Sequence, residues 1–80
     1  MSLKNAFGSQ LYHERTSRKL TQARVAEDIG ISVRWYQQLE KGAFLPGTRT
    51  FLKLALYFDL DIKSFRKEVD LPERSPSESR

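Results

Sequence analysis

Apolar residues return along this chain at intervals of three and four, and short polar breaks carrying Gly, Ser or Thr separate the groups. No alternating apolar/polar run is long enough to predict a strand, so the periodicity predicts an all-α chain. A first helix, about Asn5 to Ser17, carries Phe7 and Leu11 along one side with Glu14 and Arg15 below them, and Gly8 reads as a weak spot within it. Thr21 can cap a second helix, Gln22 to Ile29, which Gly30 ends by turning left-handed. Ser32 repeats the capping chemistry for a third helix, Val33 to Lys41, and Gly42 stops it. The loop "AFLPG" leads to Thr48, the expected cap of a fourth helix, Arg49 to Phe58, with Phe51, Leu52, Leu54, Ala55 and Phe58 as its apolar positions. Beyond Asp61 the spacing of Ile62, Phe65 and Val69 predicts a fifth.

The second and third helices are separated only by Gly30, Ile31 and Ser32. Two short helices joined so tightly around a Gly cross one another instead of lying antiparallel, which is the helix-turn-helix arrangement. Val25, Ala26 and Ile29 on one helix then face Tyr36 and Leu39 on the other, with Ile31 in the turn. Tyr36 is the inward aromatic. Its neighbour Trp35 sits about 100° around the helix and is left on the flank.

Composition narrows the picture. Eighty residues with 39% apolar content suit one small globular domain, expected over 5–70, that buries about 60 to 65% of its unfolded surface. From Leu71 the chain reads "LPERSPSESR", and 71–80 is expected to be a disordered tail. There is no Cys, no apolar run long enough to cross a bilayer and no signal-peptide pattern, so the expected setting is the cytoplasm, with no membrane partner. The net charge is +4, and its excess is concentrated between 15 and 53, where eight basic residues stand against Glu27, Asp28 and Glu40. Such clustering favours a polyanionic partner.

The candidate chemistry lies on the outer face of the third helix: Val33, Arg34, Gln37, Gln38 and Lys41, with no acid among them. A guanidinium fork suits guanine, a carboxamide suits adenine, and an apolar side chain suits the thymine methyl in a major groove. His13, the one histidine, has neither Cys nor an acid cluster beside it, and no nucleophile, carboxylate pair or phosphate-cradling Gly loop accompanies it. An enzyme is not expected, nor a metal or other cofactor.

The residues "FGSQLYHERTSRKLTQARVAEDIG", "ISVRWYQQLEKG" and "LPGTRTFLKLALYFDLDIKSF" together resemble the phage-repressor or Cro-type helix-turn-helix family, also called the xenobiotic-response-element type. The resemblance covers Phe7 to about Phe65. It implies a compact five-helix bundle that binds an operator in double-stranded DNA. By the same resemblance, Gln22 bonds a DNA phosphate and braces the recognition helix. Val33, Arg34 and Gln38 fall where the family reads bases, Gln37 and Trp35 at flanking positions that touch base edges or backbone. Arg15 and Glu40 match an ion pair tying the first helix to the end of the third, and Lys41, Thr48 and Arg49 fall near a second phosphate clamp. Trp35 departs from the small Ser or Thr of many members; its indole either donates to a phosphate or lies on Phe44.

The expected protein is a bacterial or phage-derived transcription regulator, a repressor binding a pseudo-palindromic operator as a weak homodimer. Phe58, Leu60, Ile62, Phe65 and Val69 are the residues available for that pairing through the C-terminal helix. The rival expectations are an antitoxin holding a protein partner, and a protein-interaction module whose polar face is idle.

Overall fold

The computed structural model describes residues 2–69. Among them are four α-helices, α1 (Leu3–Ser17), α2 (Gln22–Ile29), α3 (Val33–Lys41) and α4 (Thr48–Phe58), then one turn of 3-10 helix, Ile62–Phe65, and no strand. The chain is therefore all-α, but with four α-helices and not five. The fifth fails because Phe65 alone of its three apolar positions finds a buried site, whereas Ile62 and Val69 stay 57% and 44% exposed. One anchored side chain holds a turn, not a helix. The expected tail at 71–80 lies outside the described residues.

Capping explains most of the boundaries. The Thr21 hydroxyl accepts from the Arg24 N–H and the Ser32 hydroxyl from the Trp35 N–H, each at 3.0 Å. Two starts differ from expectation. Ser2 caps α1, which begins at Leu3. Thr48 is the first residue of α4 and not its cap; that place belongs to Gly47, which offers no side chain.

Phe7, Leu11, Val25, Ala26, Ile29, Tyr36, Leu39, Leu54, Phe58 and Phe65 form one buried core. Phe7 is its hub at the α1 end, with the rings of Phe51 and Phe65 at 5.3 and 6.0 Å. Gly8 is a contact point, not a weakness. A Cβ there would lie 2.6 Å from the carbonyl oxygens of both Leu39 and Glu40, so the absent side chain is what lets α1 press against α3. The burial of Phe58 and Phe65 also removes both from the set expected to pair two copies.

Candidate nucleic-acid interface

The interface begins at the turn between α2 and α3. Gly30 takes φ 87°, ψ 33°, a conformation that a residue with a Cβ adopts only under strain, and both its N–H and that of Ile31 donate to the Ala26 carbonyl. The chain reverses within three residues, and α3 starts with its inner face against α1 and α2. Tyr36 and Leu39 are fully buried on that face.

The register leaves the other face in solvent. Val33 is 38% exposed, Arg34, Gln37 and Lys41 are exposed, and Gln38 is half-buried. Arg34 and Lys41 have no ion-pair partner among the described residues. Trp35 is 41% exposed, and its ring packs against Phe44 with centroids 4.7 Å apart at 39°. Its backbone N–H goes to the Ser32 cap. Thr48 and Arg49, at the exposed start of α4, make no side-chain hydrogen bond among the described residues.

Arg15 and Glu40 meet as a nearly enclosed pair. Arg15 Nε donates to Glu40 Oε2 at 2.6 Å and Nη2 donates to Oε1 at 3.1 Å, with the two side chains 12% and 6% exposed. The same guanidinium donates through Nη1 to the Leu20 carbonyl at 2.9 Å, so one residue secures both the end of α3 and the link between α1 and α2. Burial opposes the charge on Glu40, but the hydrogen bonds from Arg15 and Gln22 and the Tyr36 phenol beside it outweigh that and hold its carboxyl below the ordinary value. Burial pushes the Tyr36 phenol above its usual range, and its hydroxyl has no hydrogen-bond partner of good geometry although Glu40 and Arg15 lie beside it.

Gln22, first in α2, is drawn into this cluster. Its Nε2 donates to Glu40 Oε1 at 3.0 Å, while its Oε1 accepts from Gln37 Nε2 at 3.2 Å. Gln22, Gln37, Glu40, Lys41 and Tyr12 line a shallow polar recess of about 390 Å³ beside the exposed face of α3. Tyr12 is the wall that the sequence reading missed. It lies on the solvent side of α1, a turn after Gly8, where nothing in a single-helix pattern points to α2 or α3.

A second acid, Asp28 on α2, is also paired. Tyr57 donates to Asp28 at 2.6 Å and Arg24 Nε donates to both of its oxygens, which keeps the Asp28 carboxyl below its ordinary range and ties α2 to α4. Of the three acids between 15 and 53, Glu40 and Asp28 are thus paired with cations. Their negative charge does little to offset Arg34, Lys41 and Arg49.

The arrangement is one helix held by its inner side, with an acid-free donor-and-acceptor edge facing outward and a polar recess at its flank. The sequence itself is similar to known proteins. Residues 8–71 match the family described as "Helix-turn-helix domain". The chain is also 29% identical over 55 residues to the "ImmF control region 10 kDa protein" of Bacillus phage phi105, covering 69% of this chain and 61% of that protein. No solved structure matches the chain with significance. Among the described residues no helix is long and apolar enough to cross a membrane.

Proposed function

This chain belongs to the helix-turn-helix domain family, and on that premise we propose that it is a sequence-specific regulator that represses by binding a pseudo-palindromic operator. The observation that carries the reading is the split of α3: Tyr36 and Leu39 lie in the core, while Arg34 and Gln37 stand exposed and the one acid of the helix, Glu40, is turned inward and paired with Arg15. Arg34 is the guanine reader, Val33 meets a thymine methyl, and Gln37 and Gln38 address base edges. Gln22, Lys41, Thr48 and Arg49 contact phosphates, which set register without reading sequence, and Trp35, its ring seated on Phe44, reaches a phosphate only with its indole N–H edge. The curated relative's name, a control-region protein of a phage, supports the regulatory part of this reading. The chain spans about 61% of that relative's length.

Selection of bound duplexes from a random pool tests the reading directly. A two-fold symmetric consensus is expected, its half-sites about 34 Å apart along the duplex. Arg34→Ala should relax preference at one position and weaken binding by about 1 to 3 kcal/mol, whereas Lys41→Ala should weaken all duplexes alike. Recovery of unselected sequences, or wild-type behaviour from both variants in an electrophoretic titration, would remove the assignment.

Pairing of two copies is part of the proposal. Of the expected set Ile62 and Val69 remain exposed, and α4 adds Leu52 and Leu56, one turn apart and 52% and 81% exposed. Leu56→Glu should leave single-copy binding to a half-site unchanged and abolish the cooperativity of binding to the full operator. Undiminished cooperativity in that titration would place the contact elsewhere.

A further inference from the structure

Between α3 and α4 the chain folds back beside the helix it has just left. Phe44 lies against Trp35, in the first turn of α3, with ring centroids 4.7 Å apart at 39°. The helix rises about 9 Å between Trp35 and Lys41, so the loop retraces most of that length. Its backbone is tied only at the two ends: the Ala43 N–H donates to the Gln38 carbonyl at 3.1 Å, and the Gly47 carbonyl accepts from the Phe51 N–H at 2.9 Å. Among the described residues no backbone–backbone hydrogen bond reaches Phe44, Leu45 or Pro46. Side chains therefore set the path of the loop. Leu45 and Pro46 line an apolar groove with Leu3 and Phe7, while Phe44, half-buried against the core, carries the Trp35 ring. Trp35 itself is 41% exposed and outside the buried core, so its contact adds little to the bundle. What it fixes is the loop.

We propose that Trp35 is a positioning residue for the phosphate contacts of α4: its clasp with Phe44 folds residues 43–47 back along α3 and so sets Thr48 and Arg49, the first residues of α4, against the same duplex that Arg34 reads. A loop without backbone hydrogen bonds of its own would otherwise be ordered only on binding, at a cost in conformational entropy that subtracts from affinity. The clasp moves that cost into folding. Thr48 lines the same groove as Leu45 and Pro46, so the start of α4 follows the loop. Arg49 is exposed and has no ion-pair partner among the described residues, which leaves its guanidinium for a phosphate once the helix start is in place. The inference rests on the reading of Thr48 and Arg49 as phosphate ligands and adds the residue that holds them in register with the reading helix.

The test is a coupling measurement on a selected operator, with Arg49→Ala made in several backgrounds. In the wild-type chain Arg49→Ala should weaken binding about tenfold and bring the salt slope of a paired protein about two units nearer zero, one cation being lost per half-site. In Phe44→Ala and in Trp35→Ala, where the clasp is gone, the further loss on Arg49→Ala should be about twofold or less. Trp35→Phe keeps a ring against Phe44 but lacks the indole N–H, and there Arg49→Ala should again cost about tenfold. Trp35 lies outside the core, so Trp35→Ala should fold and decides the matter if Phe44→Ala does not. A full tenfold loss in the clasp-free chains would mean that loop and helix hold their own places, and would overturn the proposal. So would a Trp35→Phe chain as insensitive to Arg49→Ala as Trp35→Ala, because the N–H and not the ring contact would then be the coupling group. If Arg49→Ala costs nothing in the wild-type chain, the phosphate contact at α4 fails and the proposal with it, while Arg34→Ala reports separately whether α3 reads bases.

Discussion

At the scale of single residues, Gly8 separates two effects that usually go together. In an isolated helix, Gly8→Ala would be stabilising by about 1 kcal/mol. In this chain the new methyl would meet two carbonyl oxygens at 2.6 Å, and backbone cannot move aside as a flexible side chain would. A net destabilisation of about 2 kcal/mol is expected, read as a lower midpoint in urea or thermal unfolding. An unchanged or raised midpoint would mean that α1 and α3 are less tightly apposed than described. The contact could not have been read from the sequence, because it is made with the carbonyls of residues 31 and 32 positions further on. Tyr36 and Trp35 are the opposite case. Their assignment to core and flank follows from helical spacing alone, and the core position of Tyr36 agrees with it.

At the scale of elements, α3 is held at its far end by Arg15 and Glu40. In the folded chain Glu40 lies below its ordinary pKa of 4.5, so it contributes stability that is present above about pH 4.5 and lost as the pH falls through the depressed folded value. Glu40→Gln should lower stability at pH 7 by about 2 to 3 kcal/mol, since it leaves the largely enclosed Arg15 guanidinium without a counter-charge. The same variant should lose less than wild type between pH 7 and pH 3. Urea unfolding at the two pH values checks both parts; parallel losses would mean that Glu40 is not the group responsible. Element boundaries were legible where a side chain or a left-handed Gly marks them, as at Thr21, Gly30, Ser32 and Gly42. They were not legible where the cap is backbone only, as at Gly47, or where periodicity promised more burial than the fold supplies, as for Ile62 and Val69. The hydrogen bonds of Gln22 to Glu40 and Gln37 were hidden for a related reason: each of the three fits a surface position on its own helix, and only the crossing of α2 and α3 brings them together.

At the scale of the whole molecule, charge is the property that association with DNA would report. With about four phosphates engaged per half-site, the logarithm of affinity of a paired protein should fall with the logarithm of salt at a slope of about −7. A slope near zero in a fluorescence titration from low to moderate salt would contradict a phosphate-dominated contact. The inner side of α3 carries Tyr36 and Leu39, the packing that keeps the bundle together, and Val33 and Arg34 lie outside the buried core. Val33 and Arg34 can therefore be exchanged for other residues without replacing a residue of the buried core. A lineage of such chains is free to drift toward new binding sites by changes on one exposed helical turn, its thermal tolerance untouched while its targets diverge.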